Sequence, residues 1–282
     1  MDDIVALTGF SEASLRLGAF LGAFALFSLL ETWVPRRKRS QSRLSRLWTN
    51  AGILVAGTIL LRLIAIALPL IAAVSAASYA AQSGWGLFNL INLPPALELV
   101  LAVVILDGAI WLQHLVTHKV PLLWRLHQVH HTDKDLDASS ALRFHPLEIL
   151  LSSAYKVVLA LLLGPSAAAI ILFEILLNMS AMFNHTNLAL PRWLDRILRM
   201  VIVTPDMHRV HHSIEREEHD TNYGFCLSIW DRMFRTYTRE PAGGQLGMTI
   251  GLAHHQSSPT NALGWTLKLP FGQLGPAQSK QD

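Results

Sequence analysis

Eight histidines fall in three tight groups. "HLVTH" holds His114 and His118, "HQVHH" holds His127, His130 and His131, and "HRVHH" holds His208, His211 and His212. Neutral imidazole is the commonest metal ligand and suits iron, zinc, copper or nickel. On a helix, residues at i, i+3 and i+4 share one face, so each group can point into one cavity. Four-coordinate zinc would use only half of the eight. Two six-coordinate metals with open positions use them all, so the count favours two irons. A single HxxHH could be a solvated helix face or an accident. Two of them with an HxxxH pair favour a metal centre. The one cysteine, Cys226, excludes a disulfide framework and a cysteine-based metal site.

Other residues fall in register with these groups. Asp107, Trp111, His114 and His118 are spaced 4, 3 and 4, one helical stripe. An acid inside an apolar span is costly and faces an interior or a cavity. Asp107 is therefore read as orienting a ligand histidine, lining a substrate cavity, or making an interhelical contact. Glu174, Asn178 and His185 repeat the stripe at spacings of 4 and 7. His185 then falls at a span end as a ninth candidate ligand. His145, in "FHP", is left open between ligand and support, and Pro146 marks a helix start. His219 lies outside the motif, and His254 and His255 read as surface residues.

The elements that must position these groups follow from hydropathy. Of 282 residues, 51% are apolar and 15% charged, against about 25% charged in a soluble domain. The mean hydropathy is +0.35. An apolar run from Leu17 to Val34 is long enough to cross a bilayer. A second, Ala51 to Ala80, is overlong, so tilt or a break is expected. A third runs from Ala96 to Val120. A fourth region, Leu147 to Phe183, is broken by Gly164-Pro165-Ser166 and reads as a hairpin. The predicted fold is all-α, an integral membrane bundle of about four transmembrane helices including that hairpin, with a cytoplasmic histidine-rich helical cap.

"RRKRSQSRLSR", residues 36–46, carries six basic residues and no acid. Beside a span it reads as a cytoplasmic charge cluster rather than a nucleic-acid site. That orientation sends every histidine group to the cytoplasmic side, although the histidines took no part in drawing it. Anionic lipid head groups are a further use for the cluster. The N-terminal "MDDIVALTGF" is acidic, which does not fit a secretory signal. Three segments are expected: N-terminal helices with the basic loop (1–95), a catalytic domain (96–238) and a Gly- and Pro-rich tail (239–282).

The three histidine groups, with "DGAIWLQHLVTH", "ALRFHPLEIL", "NHTNLALP", "TPDMHRVHHS", "NYG" and "WDRMFRTY", resemble the fatty acid hydroxylase superfamily, the membrane di-iron proteins that include sterol desaturases. The resemblance covers residues 100–238, and its texture is most like the bacterial sterol-desaturase-like branch, which implies a bacterial inner membrane. It departs at Arg235, where the family pattern WDRxFGT has glycine. The resemblance implies an O2-dependent oxidoreductase that hydroxylates or desaturates a lipid C–H bond (fatty acyl, sterol or isoprenoid). Two irons would be held by the histidines. Electrons would come from an external donor, a reductase or small electron-transfer protein, in keeping with the lack of a nucleotide-binding glycine motif.

Three other readings combine spans with histidines. A metal transporter places its ligands near the bilayer midplane, whereas these lie at span ends. A zinc hydrolase of the HExxH type lacks its motif here. A catalytically inactive or metal-binding relative stays open as an alternative, with the intact motifs against it.

Overall fold

A computed structural model describes residues 9–272; the acidic stretch at residues 1–8 and the end of the tail lie outside the described residues. The chain is all-α. The longer helices are α1 (Glu12–Trp33), α2 (Arg43–Ala67), α3 (Ala73–Gln82), α4 (Pro95–Lys119), α5 (Pro121–His131), α6 (Pro146–Leu163), α7 (Ala167–His185), α8 (Arg192–Leu198), α9 (Pro205–His211) and α10 (Leu263–Lys268). Helical turns of five residues or fewer carry no number.

Among the described residues, five helices are long and apolar enough to cross a membrane: α1, α2, α4, α6 and α7. The expected count of about four is corrected to five, because each limb of the hairpin is a full crossing of 18 or 19 residues. Gly164 ends α6 at φ +60°, where an L-side chain is strained, and a Cβ there would strike the Trp85 carbonyl. Ser166 then caps α7 by accepting from Ala169 N at 3.2 Å. The overlong second run does break. α2 stops at Ala67, Pro69 opens a short 3-10 turn, and the remainder forms the 10-residue α3.

The spans turn leucine, isoleucine and valine side chains outward, including Leu17 and Leu21 of α1 and Ile59 and Leu63 of α2. Such a surface suits lipid rather than water. α7 is the hub, packing on α1, α3, α4, α9 and the turn at Ala138–Leu142. Residues 186–272 cap the end of the bundle that carries the C-termini of α1, α4 and α7.

The basic loop between α1 and α2 lies at that same end, and most of its charge is spent internally. Arg46 is fully buried and pairs with Asp133 at 2.7 Å and with Asp137. Arg36 reaches Asp206 at 3.0 Å, and Arg37 donates to the carbonyls of Gln245 and Met248. Glu31 accepts from Arg43 and from the backbone N–H groups of Ala138 and Asn187. A buried arginine with its carboxylates in place is tolerable, and costly only when one partner is missing. The loop therefore straps the first two helices to the cap. The tail segment is equally integral, since Gln245, Met248, Ile250, Thr260 and Thr266 are buried.

Candidate metal centre

Local breaks aim the histidines. α4 ends at Lys119 because Pro121 lacks an N–H and disfavours a helical residue before it. The turn brings His114 and His118 against His127 and His131, with ring centroids 4.8–5.1 Å apart for the pairs 114–118, 114–127, 118–127 and 118–131. Thr204 caps α9 and Pro205 opens it. His208 and His211 sit on that short helix and His212 follows as its C-cap.

Nine buried histidines form two groups that could hold a metal ion. His114, His118, His127, His131 and His211 make one; His130, His185, His208 and His212 make the other. In each group the ligand atoms lie within 4.8 Å of one another. The division follows helix geometry. Successive residues are about 100° apart, so the two imidazoles of each HH pair diverge while i and i+4 converge. His127 and His131 enter the first group with His211 from the other box. His208 and His212 enter the second with His130. The boxes exchange one histidine each.

The donor set fits a metal. His114 Nδ1 donates to the Tyr223 carbonyl and His211 Nδ1 to the Thr221 carbonyl, both at 2.7 Å. His127 Nδ1 meets the Glu148 carboxylate at 2.6 Å. The two carbonyl bonds fix the proton on Nδ1 of His114 and His211 and leave each Nε2 as a lone pair, and the Glu148 bond turns the His127 Nε2 the same way. The Nε2 atoms of His114 and His127 then face each other across 3.1 Å, an arrangement that a cation between them satisfies. His185 is held the same way by the Ala181 carbonyl, with its Nε2 at 3.0 Å from His130 and 3.1 Å from His208. Both ring nitrogens of His118, His131 and His212 lack hydrogen-bond partners, which is rare for buried polar atoms without a ligand to serve; His118 Nδ1 has only Asp220, at 3.6 Å.

Burial depresses the basicity of the cap histidines. It lowers His127 to about 3. His130, His131, His208, His211 and His212 are pushed well below the ordinary imidazole value by burial and then by neighbouring rings. All six are therefore neutral near pH 7, the form that binds metals. Tyr223 is fully buried against His114, His118 and His211, its hydroxyl has no partner, and burial keeps it protonated.

The other sequence candidates fall elsewhere. Asp107 touches no histidine. It accepts from Trp230 Nε1 at 2.8 Å and Leu227 N at 3.1 Å, pinning the segment that follows Tyr223. Gly108 makes room for the Trp230 ring. Asp231 completes this support, accepting from Trp111 Nε1 and from the N–H groups of Tyr223 and Gly224 at 2.9 Å each. Glu174 pairs with Arg16 at 2.5 Å and Lys156 at 2.7 Å. Asn178 donates to the Glu174 carbonyl and lines a cavity. His145 caps α6, accepting from Leu147 N, while its Nε2 lies 3.2 Å from the Leu267 carbonyl. Both its nitrogens are thus committed away from the two groups. His254 and His255 are half-buried against each other.

Glu148 was not singled out in the sequence, and His219 was set aside there as outside the motif. Glu148 carries no local mark beyond an i+3 offset from His145, yet it orients His127. His219, outside any motif, is buried with its ring 4.9 Å from His118 and 4.6 Å from His131.

A cavity of about 260 Å³ reaches the centre between α1, α2, α4, α6 and α7. His114, His127 and Glu148 line one end, with Ile110, Phe144 and Phe225 as apolar walls.

Fold and site together define a membrane-embedded protein with two buried groups of histidines able to hold metal. Residues 99–236 match the fatty acid hydroxylase family, and that region of the chain is similar to it. The human (Homo sapiens) alkylglycerol monooxygenase is 35% identical over 143 residues, 50% of this chain and 31% of the relative. The Danio rerio enzyme of that name is 34% identical over 168 residues, 58% and 36% respectively. The ornithine lipid hydroxylase OlsE of Rhizobium tropici is 27% identical over 240 residues, 82% of this chain and 70% of the relative. The chain thus spans about a third of the alkylglycerol monooxygenases. No solved structure matches it.

Proposed function

We propose that this chain is a membrane di-iron oxygenase that hydroxylates a C–H bond of a lipid at the cytoplasmic face of the bilayer. The observation that carries the reading is the pair of buried histidine groups, with the Nε2 atoms of His114 and His127 brought together at 3.1 Å where the cavity begins. Hydroxylation is preferred to desaturation because the relatives' names describe oxygen insertion into lipids.

Two irons bound by these histidines would activate O2, which by itself reacts too slowly with an unactivated C–H bond. One oxygen atom would end in the lipid hydroxyl and the other in water, with two electrons and two protons from outside. The protein's own part is positional. Glu148 and the Tyr223 carbonyl hold His127 and His114 with Nε2 forward. Ile110, Phe144 and Phe225 exclude water and present an acyl or isoprenoid chain to that end of the cavity. The substrate enters sideways from the bilayer, and a reductase or small electron carrier approaches from the aqueous side. The six basic residues of segment 36–46, at the same end as the histidines, support the cytoplasmic orientation.

The test is expression of wild type, His130→Ala and His211→Ala beside a suitable electron donor, followed by lipid mass spectrometry. A lipid class gaining one oxygen only with wild type is expected. No lipid change in several hosts, with no bound iron, overturns the reading.

A further inference from the structure

The far end of the cavity is not apolar. Lys156 lines it, together with Ser152, Ser153 and Asn178. Lys156 belongs to a four-charge chain across three spans. Glu12 meets Arg16 at 2.7 Å, Arg16 meets Glu174 at 2.5 Å, and Glu174 meets Lys156 at 2.7 Å. The chain is neutral as a whole, yet of its four members only Lys156 lines the cavity. An ammonium has three N–H donors, and one of them is taken by Glu174.

Charged groups inside a span are expensive and tend to serve a function. Apolar residues would hold the helices together as well as a buried ion pair does. A plain hydrocarbon tail gains nothing from an ammonium, an amide and two hydroxyls. An oxygen-bearing group gains hydrogen bonds there.

Resting on the oxygenase reading, we propose that Lys156 receives a hydrogen-bond-accepting oxygen of the substrate and so sets which carbon meets the metal end. Glu148, which holds His127, and Lys156 are eight residues apart on α6, a rise of about 12 Å. Ser152 lies between them on the same face. Lys156 is ten residues into the span, about 15 Å along it, near the middle of a hydrocarbon core about 30 Å thick. A head group at the membrane surface beside the metal end does not reach it. The substrate class is therefore a lipid whose accepting oxygen lies deep: a single-chain amphiphile bound head-inward, or an isoprenoid or acyl chain oxygenated along its length.

The test uses the iron-loaded full chain in nanodiscs with radiolabelled palmitate, and 1-hexadecanol and hexadecane as competitors. Wild type is expected to bind palmitate saturably. Displacement by 1-hexadecanol identifies a neutral accepting oxygen as sufficient, and displacement by unlabelled palmitate alone identifies an anion; hexadecane displaces in neither case. Lys156→Met should bind about tenfold more weakly at unchanged iron content, and Lys156→Arg should retain binding. Hexadecane competing as well as the oxygenated chains, equal binding by Lys156→Met, or no saturable binding to wild type overturns the subsite. Iron content and oxygen-dependent product formation from total lipid test the oxygenase reading separately. A wild type that passes those and fails the binding arms leaves that reading standing without this subsite.

Discussion

Glu148 is the residue on which the metal end of the cavity turns. Its carboxyl group bonds His127 Nδ1 at 2.6 Å and so aims Nε2 at the other rings. Replacing it with glutamine weakens that hold. Glu148→Ala should cost about 10–100-fold in iron affinity, read by titration of the metal-free protein. The same histidines impose a pH dependence. Their folded values lie below the unfolded value of 6.5. The unfolded chain then takes up protons that the fold refuses. Stability of the metal-free protein is full above about pH 6.5 and falls as the pH drops below it, which thermal unfolding at pH 7.5 and pH 5 will measure. Arg235, the departure from the family's glycine, sits at φ +59°, the left-handed region where an L-side chain is strained. Arg235→Gly should raise stability by about 1 kcal/mol. At this scale the histidine boxes were legible, because imidazole type and helical spacing are local. Glu148 and His219 were not, because only the folded chain brings them to the rings.

Helix ends were readable where one residue type decides them. Pro121, Pro146, Ser166 with Gly164, and Pro205 all mark observed boundaries. The second apolar run was less so, since hydropathy does not distinguish a span from the short α3 that packs beside α6 and α7. The basic loop was legible in sign and not in contact. Arg46 finds Asp133 and Asp137 across 87 and 91 residues, which no local pattern announces. Arg46→Ala leaves two buried carboxylates without their cation and should destabilise the protein by about 3–5 kcal/mol. A control at the same loop, Lys38→Ala, should change the melting temperature little.

For the whole molecule, the segments outside the matched family region prove to be part of the metal centre's support. Glu31, Arg46 and Asn50 come from α1 and α2, and Arg143 gathers Val129, Thr132, Asn50 and the Thr260 carbonyl around the end of α5. A fragment of residues 96–238 should therefore fail to hold iron, although it contains all nine clustered histidines. The membrane class, the bundle and the ligand-rich end were legible from composition and spacing; the strapping of the termini onto that end was not, being long-range and polar. The central claim is that two histidine-held irons insert oxygen into a lipid. Its most direct test gives the iron-loaded full chain an electron donor, total membrane lipid and isotopically labelled dioxygen, and follows the label by mass spectrometry. The account predicts one labelled oxygen atom in a lipid hydroxyl, absent from His130→Ala and His211→Ala. Unlabelled lipid from a protein that carries two irons and consumes electrons would contradict it.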